Sequence, residues 1–176
     1  MIKKISKNIK ETEKIAKEFM NLIFRNENLL GPRKGVSQTL VNSRSKKSAV
    51  VICLHGDLGT GKTTFSQFVA KNLGVKRKVN SPTFVIMKRY MLKHKNFKNL
   101  FHLDAYRLKN HQELLVLGWE EIISKPENLI LIEWPENVIK AIPKKHHKIH
   151  ISHLPRRSGA KAGTKEGHRS FKIKNQ

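Results

Sequence analysis

The chain opens with apolar side chains repeated at the three- and four-residue spacing of an amphipathic helix. The stripe consists of Ile5, Ile9, Ala16, Phe19 and Ile23, flanked by Ile15 and Leu22. Asn8 followed by Glu11 forms the kind of side-chain pair that caps a helix N-terminus. The pattern therefore predicts a first helix that is capped by this pair, carries Ile5 on its stripe and ends near Arg25.

An uninterrupted apolar run and an amphipathic stretch lie on either side of a glycine-rich turn. Residues 49–54 are all apolar, as in a strand that is buried on both faces. The apolar positions of residues 63–73 share one helical face: Phe65, Phe68, Val69 and Leu73. Gly74 supplies a stop signal for this helix. The turn at residues 55–61 thus joins a predicted strand to a predicted helix.

The remaining apolar segments are shorter and alternate between strand and helix signals. Strands are predicted at 84–90, 100–103 and 129–132, around Ile149 and Ile151, and around Phe171 and Ile173. Short helices are predicted at 113–117 and 119–123, interrupted by Gly118. Strands that alternate with helices predict an α/β fold, a mixed central sheet flanked by helices, in one domain covering residues 1–154.

The charge of the chain is strongly unbalanced, with 36 Lys and Arg against 13 Asp and Glu and a formal net charge of +23. Two segments hold much of the excess: a basic insertion at about 26–48 and a flexible basic tail at 155–176. Both are rich in Gly, Ser and Asn, which is typical of loops. Because Lys and Arg displace counterions from phosphate backbones, the charge favours contact with RNA. A solvated basic surface is the alternative.

Cysteine content and hydropathy exclude several classes of protein. A single cysteine, Cys53, allows no intramolecular disulfide and no Cys-rich zinc site, which favours a reducing compartment. Its place inside the first apolar run predicts a small buried side chain rather than a reactive thiol. The longest uninterrupted apolar run has six residues, whereas roughly 20 are needed to span a bilayer. We expect a cytoplasmic protein that has no membrane partner.

The glycine-rich turn carries the most specific motif, Gly56-Asp57-Leu58-Gly59-Thr60-Gly61-Lys62-Thr63, which matches G-x-x-x-x-G-K-[ST]. The glycines allow successive backbone N–H groups to point at phosphate oxygens. Lys62 would supply positive charge to the outer phosphates, and the Thr63 hydroxyl is a hard oxygen suited to Mg²⁺. The strand before the turn and the helix after it are the expected context. The sequence therefore predicts a P-loop NTPase domain.

A P-loop site also needs a carboxylate at a strand end to hold the Mg²⁺ shell. Glu133 follows the apolar residues 129–132, and Asp104 follows residues 100–103. We assign Glu133 to the metal, and Asp104 to the γ-phosphate or the attacking water as a base or water-orienting group. Asp104 is the competing candidate for the metal, and a surface carboxylate is the alternative for either acid.

Four motifs taken together resemble the TsaE (YjeE) family, the small P-loop ATPases of bacterial tRNA threonylcarbamoyladenosine synthesis. In order, they are the loop at 56–64, in which Thr60 departs from the family pattern, Ser-Pro-Thr-Phe at 81–84, His-Leu-Asp-Ala-Tyr-Arg-Leu at 102–108 and Glu-Trp-Pro at 133–135. The last three lie outside the general P-loop definition and so separate this family from other NTPases. The resemblance covers residues 7–151.

This resemblance implies roles for the residues at matching positions. The nucleotide phosphates would be bound by Gly59, Thr60, Gly61, Lys62, Thr63 and Thr64. Thr63 and Glu133 would ligate Mg²⁺, while Lys62 and Asp104 would act in hydrolysis of ATP. Thr12 resembles a family threonine near the adenine, and Thr83 would lie in a nucleotide-sensing switch. The family acts with the proteins TsaB and TsaD, where ATP hydrolysis supports turnover of the modifying complex.

Two other functions stay open on the sequence. A small-molecule P-loop kinase would pass the γ-phosphoryl group to an acceptor, with Arg156 and Arg157 on a lid, although no acceptor-binding motif is visible. A nucleotide-gated RNA-binding module would hydrolyse ATP only incidentally.

The basic insertion looks longer than the connection usual in the family, and the tail is more basic than expected. Both segments would alter how partners or tRNA dock.

Overall fold

The computed structural model of the protein describes residues 1–29, 48–154 and 168–174. Its strands are β1 (Ile2–Ser6), β2 (Val50–His55), β3 (Met87–Met91), β4 (Asn99–Asp104), β5 (Asn128–Glu133), β6 (His147–His153) and β7 (Arg169–Lys174). Its α-helices are α1 (Ile9–Leu29), α2 (Lys62–Asn72), α3 (Gln112–Leu115) and α4 (Trp119–Ser124), and 3₁₀ turns span Ala105–Arg107 and Pro135–Ala141. None of the described helices is both long and apolar enough to cross a membrane.

The seven described strands form one mixed sheet in the order β1-β7-β6-β2-β5-β4-β3. The four central strands β6, β2, β5 and β4 run parallel, whereas β7, β1 and β3 pair antiparallel to their neighbours. In such sheets the carboxyl ends of parallel strands meet at one edge, where ligands bind. Glu133 is in register with Asp104 on one side and Leu54 on the other. The predicted α/β fold with a mixed sheet is confirmed.

Apolar clusters cover both faces of the sheet. One cluster packs α1 and α2 on the sheet and contains Phe19, Phe65 and Leu54; the other contains Cys53 and Trp119. Successive residues of β2 enter opposite clusters, which explains why the strand is apolar without interruption. Burial raises the pKa of the Cys53 thiol to about 12, so this side chain is a buried apolar group, as predicted.

The N-terminal boundary of the first helix differs from the prediction. Ile5 lies in β1, which pairs with β7, and the helix starts only at Ile9. The predicted cap is confirmed, because the Glu11 N–H donates to Asn8 Oδ1 at 2.9 Å. At its other end α1 continues to Leu29 instead of ending near Arg25, so the first residues of the predicted insertion are helical. Residues 30–47 of that insertion lie outside the described residues.

The predicted tail is wrong for residues 169–174. They form β7, which lies between β6 and β1 in the sheet, with Phe171 and Ile173 almost fully buried. The alternating strand pattern around these two residues therefore outweighs the basic composition that suggested a tail. Residues 155–167 and 175–176 of the predicted tail lie outside the described residues.

The strand predicted at 84–90 also starts later than expected. Residues 83–85 form a turn, Ile86 adopts a left-handed backbone with φ 62°, and β3 begins at Met87. The Asp104 N–H donates to the Ile86 carbonyl at 2.9 Å. This turn therefore brings the Ser-Pro-Thr-Phe segment to the end of β4.

Candidate nucleotide-binding site

The glycine-rich turn between β2 and α2 has a backbone that requires glycine at two points. Gly61 has φ 99°, and Gly56 has φ 138° and lies so close to β6 that a Cβ there would be 2.1 Å from the Ile151 carbonyl oxygen. α2 begins at Lys62. The N–H groups of its first turn have no partner within the helix and can bind an anion.

A cavity of about 410 Å³ opens at this turn. It is lined by Leu58, Gly59, Gly61, Lys62, Thr63, Thr64, Ser81, Thr83, Asp104, Tyr106, Glu133 and Trp134. The lining thus draws on four separated segments of the chain: the glycine-rich turn with the start of α2 (residues 56–64, here called the phosphate loop), the Ser-Pro-Thr-Phe segment, the carboxyl end of β4 and the carboxyl end of β5. Most of the residues that the sequence assigned to the site line this one cavity.

Glu133 is buried at the end of β5, and both of its carboxylate oxygens have partners. Oε2 accepts a hydrogen bond from the Thr63 hydroxyl at 2.8 Å. Oε1 accepts one from the Ser66 hydroxyl at 3.1 Å and lies 2.7 Å from His102 Nε2. These contacts fix the orientation of the carboxylate. Thr63 and Glu133 therefore present adjacent hard oxygens, which is the donor chemistry that Mg²⁺ prefers.

Asp104 occupies the corresponding position at the end of β4 and is 3% exposed. Its Oδ2 accepts hydrogen bonds from the hydroxyls of Ser81, at 2.9 Å, and Thr83. Its Oδ1 accepts from the Tyr106 N–H at 3.0 Å. Since β4 and β5 are parallel neighbours with Asp104 opposite Glu133, the two acids occupy adjacent positions at the sheet edge. The Ser-Pro-Thr-Phe segment thus contacts the acid that the sequence placed near the γ-phosphate.

Lys62 folds back over its own loop. Nζ donates to the carbonyl oxygens of Gly56 at 2.5 Å and Asp57 at 2.9 Å, and lies 3.7 Å from the centroid of the Trp134 ring. Burial lowers the pKa of Lys62, while nearby carboxylates, Glu133 foremost, oppose this shift. The two carbonyl contacts hold the Lys62 side chain, which lines the cavity, against its own loop.

Trp134 has an unusual backbone and a defined place in the cavity. Its φ of 58° lies in the left-handed region, which is uncommon for a bulky residue. The ring lies under the Lys62 ammonium, and its centroid is 5.1 Å from that of Tyr106. Such strain tends to occur at functional sites. Trp134 therefore contacts the Lys62 ammonium and the Tyr106 ring while it also packs against the core cluster that contains Cys53.

Thr60 and Thr12 are not among the residues that line the cavity. The Thr60 hydroxyl donates to the Asp57 carbonyl at 2.8 Å, so this side chain closes the loop internally. Thr12 is buried in the first turn of α1, and its hydroxyl is 2.7 Å from the Ser6 hydroxyl. The roles of these two residues in nucleotide binding stay predictions.

Four residues that the sequence analysis did not assign contact the groups of the site. Ser66, Ser81 and His102 hold the two carboxylates; Ser81 and His102 stand inside recognised motifs, and Ser66 follows Thr63 by one helical turn. Arg169 is different, because its Nε donates to the Thr60 carbonyl at 3.0 Å from 109 residues away in the chain. No local sequence signal indicates that contact.

These features define a P-loop NTPase-like domain. They are a buried strand, a glycine-rich turn, a helix that begins at Lys-Thr and a carboxylate on the neighbouring parallel strand. The family model described as "Threonylcarbamoyl adenosine biosynthesis protein TsaE" matches residues 6–159. The chain belongs to this TsaE family.

Relatives named "tRNA threonylcarbamoyladenosine biosynthesis protein TsaE" include the Bacillus subtilis protein, 38% identical over 105 residues, which are 60% of this chain and 63% of the relative. The Rickettsia felis protein is 42% identical over 95 residues, 53% of each chain. The chain thus spans between half and two thirds of the length of these relatives. The crystal structure of Bacillus subtilis YdiB matches with a TM-score of 0.58 and 28% identity, covering 97% of this chain and 83% of that one.

Proposed function

We propose that the protein is a Mg²⁺-dependent ATPase subunit required for the threonylcarbamoyladenosine modification of tRNA. It acts in the cytoplasm with TsaB and TsaD and supports turnover of the modifying complex. The observation that carries the proposal is the hydrogen bond between Thr63 and Glu133, which joins the end of the phosphate loop to the buried end of β5. Membership of the TsaE family supports the assignment to this pathway.

The donor set of the cavity fits a nucleoside triphosphate with Mg²⁺. Residues 59–64 would bind the phosphates through backbone N–H groups and the Lys62 ammonium. Thr63 and Glu133 would hold Mg²⁺, which supplies positive charge to the phosphate oxygens when it is bound. Ser66 and His102 already orient Glu133 for this role.

Asp104 is the residue proposed to position the attacking water. In hydrolysis, the water oxygen bonds to the γ-phosphorus while the bond to the β–γ bridging oxygen breaks, giving ADP and inorganic phosphate. Asp104 would orient the water or accept its proton, and Lys62 with the loop N–H groups would stabilise the developing charge. Because Ser81 and Thr83 bond the same oxygen of Asp104, their segment would control access of water to that oxygen.

The test is ATP hydrolysis by the wild type and by Asp104→Ala, each with and without the TsaB–TsaD pair. We expect stimulation of the wild type by the pair. Asp104→Ala should lower the rate by about 10² to 10⁴, the usual contribution of a general base, and should retain binding of ADP. Full activity of Asp104→Ala would contradict the assigned role.

Product analysis separates this function from its alternatives. Inorganic phosphate as the main product supports the ATPase, whereas a phosphorylated metabolite would identify a small-molecule kinase. If Lys62→Ala and Asp104→Ala both left cellular tRNA modification and RNA binding intact, a nucleotide-gated RNA-binding module would describe the protein better.

A further inference from the structure

The positive charge is not confined to the insertion and the tail. Residues 58–103 contain no Asp or Glu, and they carry ten Lys and Arg. These are Lys62, Lys71, Lys76, Arg77, Lys78, Lys88, Arg89, Lys93, Lys95 and Lys98. All ten lie in described residues of the folded domain. Nine of the ten, all except the buried Lys62, reach the surface of the fold, outside the two basic segments described above.

Part of this charge lines a groove between the C-terminal end of α2 and the edge strand β3. Two cavities of about 430 and 660 Å³ share residues 74–77 and contain no Asp or Glu in their linings. The cations that line them are Lys71, Lys76, Arg77, Lys78 and Arg89, which together define the basic groove. Lys71 is ion-paired with Glu13 of α1 at 2.6 Å. None of these residues lines the nucleotide cavity.

Contacts with the backbone and with neighbouring side chains hold the two arginines of the basic groove. Arg77 Nη2 donates to the Arg89 carbonyl at 2.7 Å, and the Arg77 guanidinium lies 4.4 Å from the centroid of the buried Tyr90 ring. Arg89 Nε donates to Asn99 Oδ1 at 3.0 Å. A guanidinium has five N–H donors in a fixed planar arrangement. Each arginine uses one of these donors in the hydrogen bond just described. The other donors can bind a phosphate bidentately.

The composition of the basic groove indicates which kind of macromolecule it fits. Protein interfaces have an apolar centre that is depleted of Lys, whereas this groove presents three lysines and two arginines, with Met91 as its exposed large apolar side chain. Lys and Arg are the usual ligands of nucleic-acid phosphates. The observations therefore favour a nucleic-acid backbone over an acidic protein surface.

We propose that the basic groove is an RNA-binding site that contacts the phosphodiester backbone without reading its sequence. Arg77 and Arg89 take phosphate oxygens bidentately, and the lysines release counterions. The site goes beyond the ATPase activity and does not depend on hydrolysis. The segment from Val79 to Ser81 connects the groove to the nucleotide site. Gln67 Nε2 of α2 donates to the Val79 carbonyl at 2.8 Å, and Ser81, two residues later, lines the nucleotide cavity.

The test uses the full chain and a fluorescein-labelled tRNA transcript, and binding is measured by fluorescence anisotropy between 50 and 200 mM salt. Over this interval a protein that makes several phosphate contacts loses orders of magnitude in affinity. Lys76→Ala/Lys78→Ala should weaken binding about tenfold at low salt. The slope of log affinity against log salt should fall by about one to two, since each phosphate contact contributes about 0.7 to 0.9.

The matched control is Lys144→Ala/Lys145→Ala, which removes the same charge from an exposed lysine pair elsewhere in the fold. This control should bind tRNA almost as the wild type does. Equal losses in both double variants would overturn the proposal, because net charge alone would then explain binding. Arg77→Lys keeps the charge but loses the planar arrangement of donors. It should weaken binding with little change in the salt slope.

Two further outcomes would also overturn the proposal: a wild type that does not bind tRNA, and groove variants that keep tRNA but lose the TsaB–TsaD pair. The second result would make the basic groove a protein-docking surface. Absence of ATP hydrolysis by the wild type would count against the proposed function and would leave the tRNA result standing. Circular dichroism of each variant checks that the fold is retained.

Discussion

At the scale of single residues, Arg169 connects the last described strand with the phosphate loop. Its Nε donates to the Thr60 carbonyl, and a Cβ on Gly61 would lie 3.1 Å from the same nitrogen. The guanidinium therefore supports the loop from the side of the sheet and fills the space that glycine leaves. We regard Arg169 as a positioning residue for the backbone N–H groups that would bind phosphate.

Arg169→Ala is expected to weaken ADP binding about tenfold, which corresponds to about 1.4 kcal/mol. A hydrogen bond from a charged group contributes roughly 1.5–3 kcal/mol, and part of it would be felt at the loop. Arg169→Lys keeps the charge but loses Nε. Its affinity for ADP should lie between that of the wild type and that of Arg169→Ala. Titration calorimetry with ADP provides the measurement. Lower thermal stability with unchanged ADP affinity would show that Arg169 serves the strand alone.

We expect His55 to make the stability of the domain depend on pH. Burial lowers the pKa of His55 below its ordinary 6.5, and Lys148 and His150 act in the same direction, while Glu136, 3.1 Å away, opposes them. The folded state then binds fewer protons than the unfolded state. The stabilisation is complete above pH 6.5 and is lost as the pH falls, by up to about 1.4 kcal/mol per pH unit.

The melting temperature of the wild type should therefore fall between about pH 7.5 and 5.5, on either side of the ordinary histidine pKa, and His55→Gln should reduce that fall. The pKa of His94 is also lowered, mainly by burial, so His94→Gln serves as a second variant. Melting curves at matched ionic strength measure both effects. An identical pH dependence in the wild type and His55→Gln would contradict the assignment.

At the scale of elements, β7 is a buried strand whose inner side chains belong to the main core. Phe171 is fully buried, and its ring centroid is 5.8 Å from that of Phe65 on α2. Phe171→Ala should lower the free energy of unfolding by about 3–5 kcal/mol. The exposed neighbour Lys172 offers a control, because Lys172→Ala should change it by less than about 0.5 kcal/mol. Urea unfolding measures the free energy of unfolding of both variants. An unchanged value for Phe171→Ala would contradict the placement of β7 as a buried strand of the sheet.

The same strand changes how the basic C-terminal segment can be studied. Deletion of residues 155–176 would remove β7 together with the charge, so a loss of RNA binding by that variant would not distinguish charge from folding. Substitution of single lysines in place keeps the strand. Charge in this region is therefore best tested by substitution.

Sequence predicted those elements whose signal is local. The continuous apolar runs before Gly56 and before Glu133 identify buried parallel strands without knowledge of their partners, and the phosphate loop is contiguous. By contrast, five residues around Ile5 fit a helical stripe as well as a strand. Only pairing with β7, far along the chain, decides between them. The contact of Arg169 with the phosphate loop was missed for the same reason.

At the scale of the whole molecule, the two ends of α2 differ in the sign of the charge around them. Glu133, Glu136, Asp104 and Asp57 all act on the Lys62 ammonium, so four of the 13 acids surround one end of α2. The basic groove lies at the other end of the same helix. The proposed Mg²⁺ site and the proposed RNA-binding groove can thus coexist on a chain with a net charge of +23.

The pairing of β1 with β7 has a consequence for synthesis of the chain. In the described residues β1 pairs with β7 alone, in a register that joins Ile2 to Ile173. During translation β1 leaves the ribosome long before its partner, and such distant contacts form slowly. Until β7 emerges, β6 keeps an open edge and the phosphate loop lacks the contact from Arg169. The nascent protein should therefore complete the proposed nucleotide site among the last steps of folding.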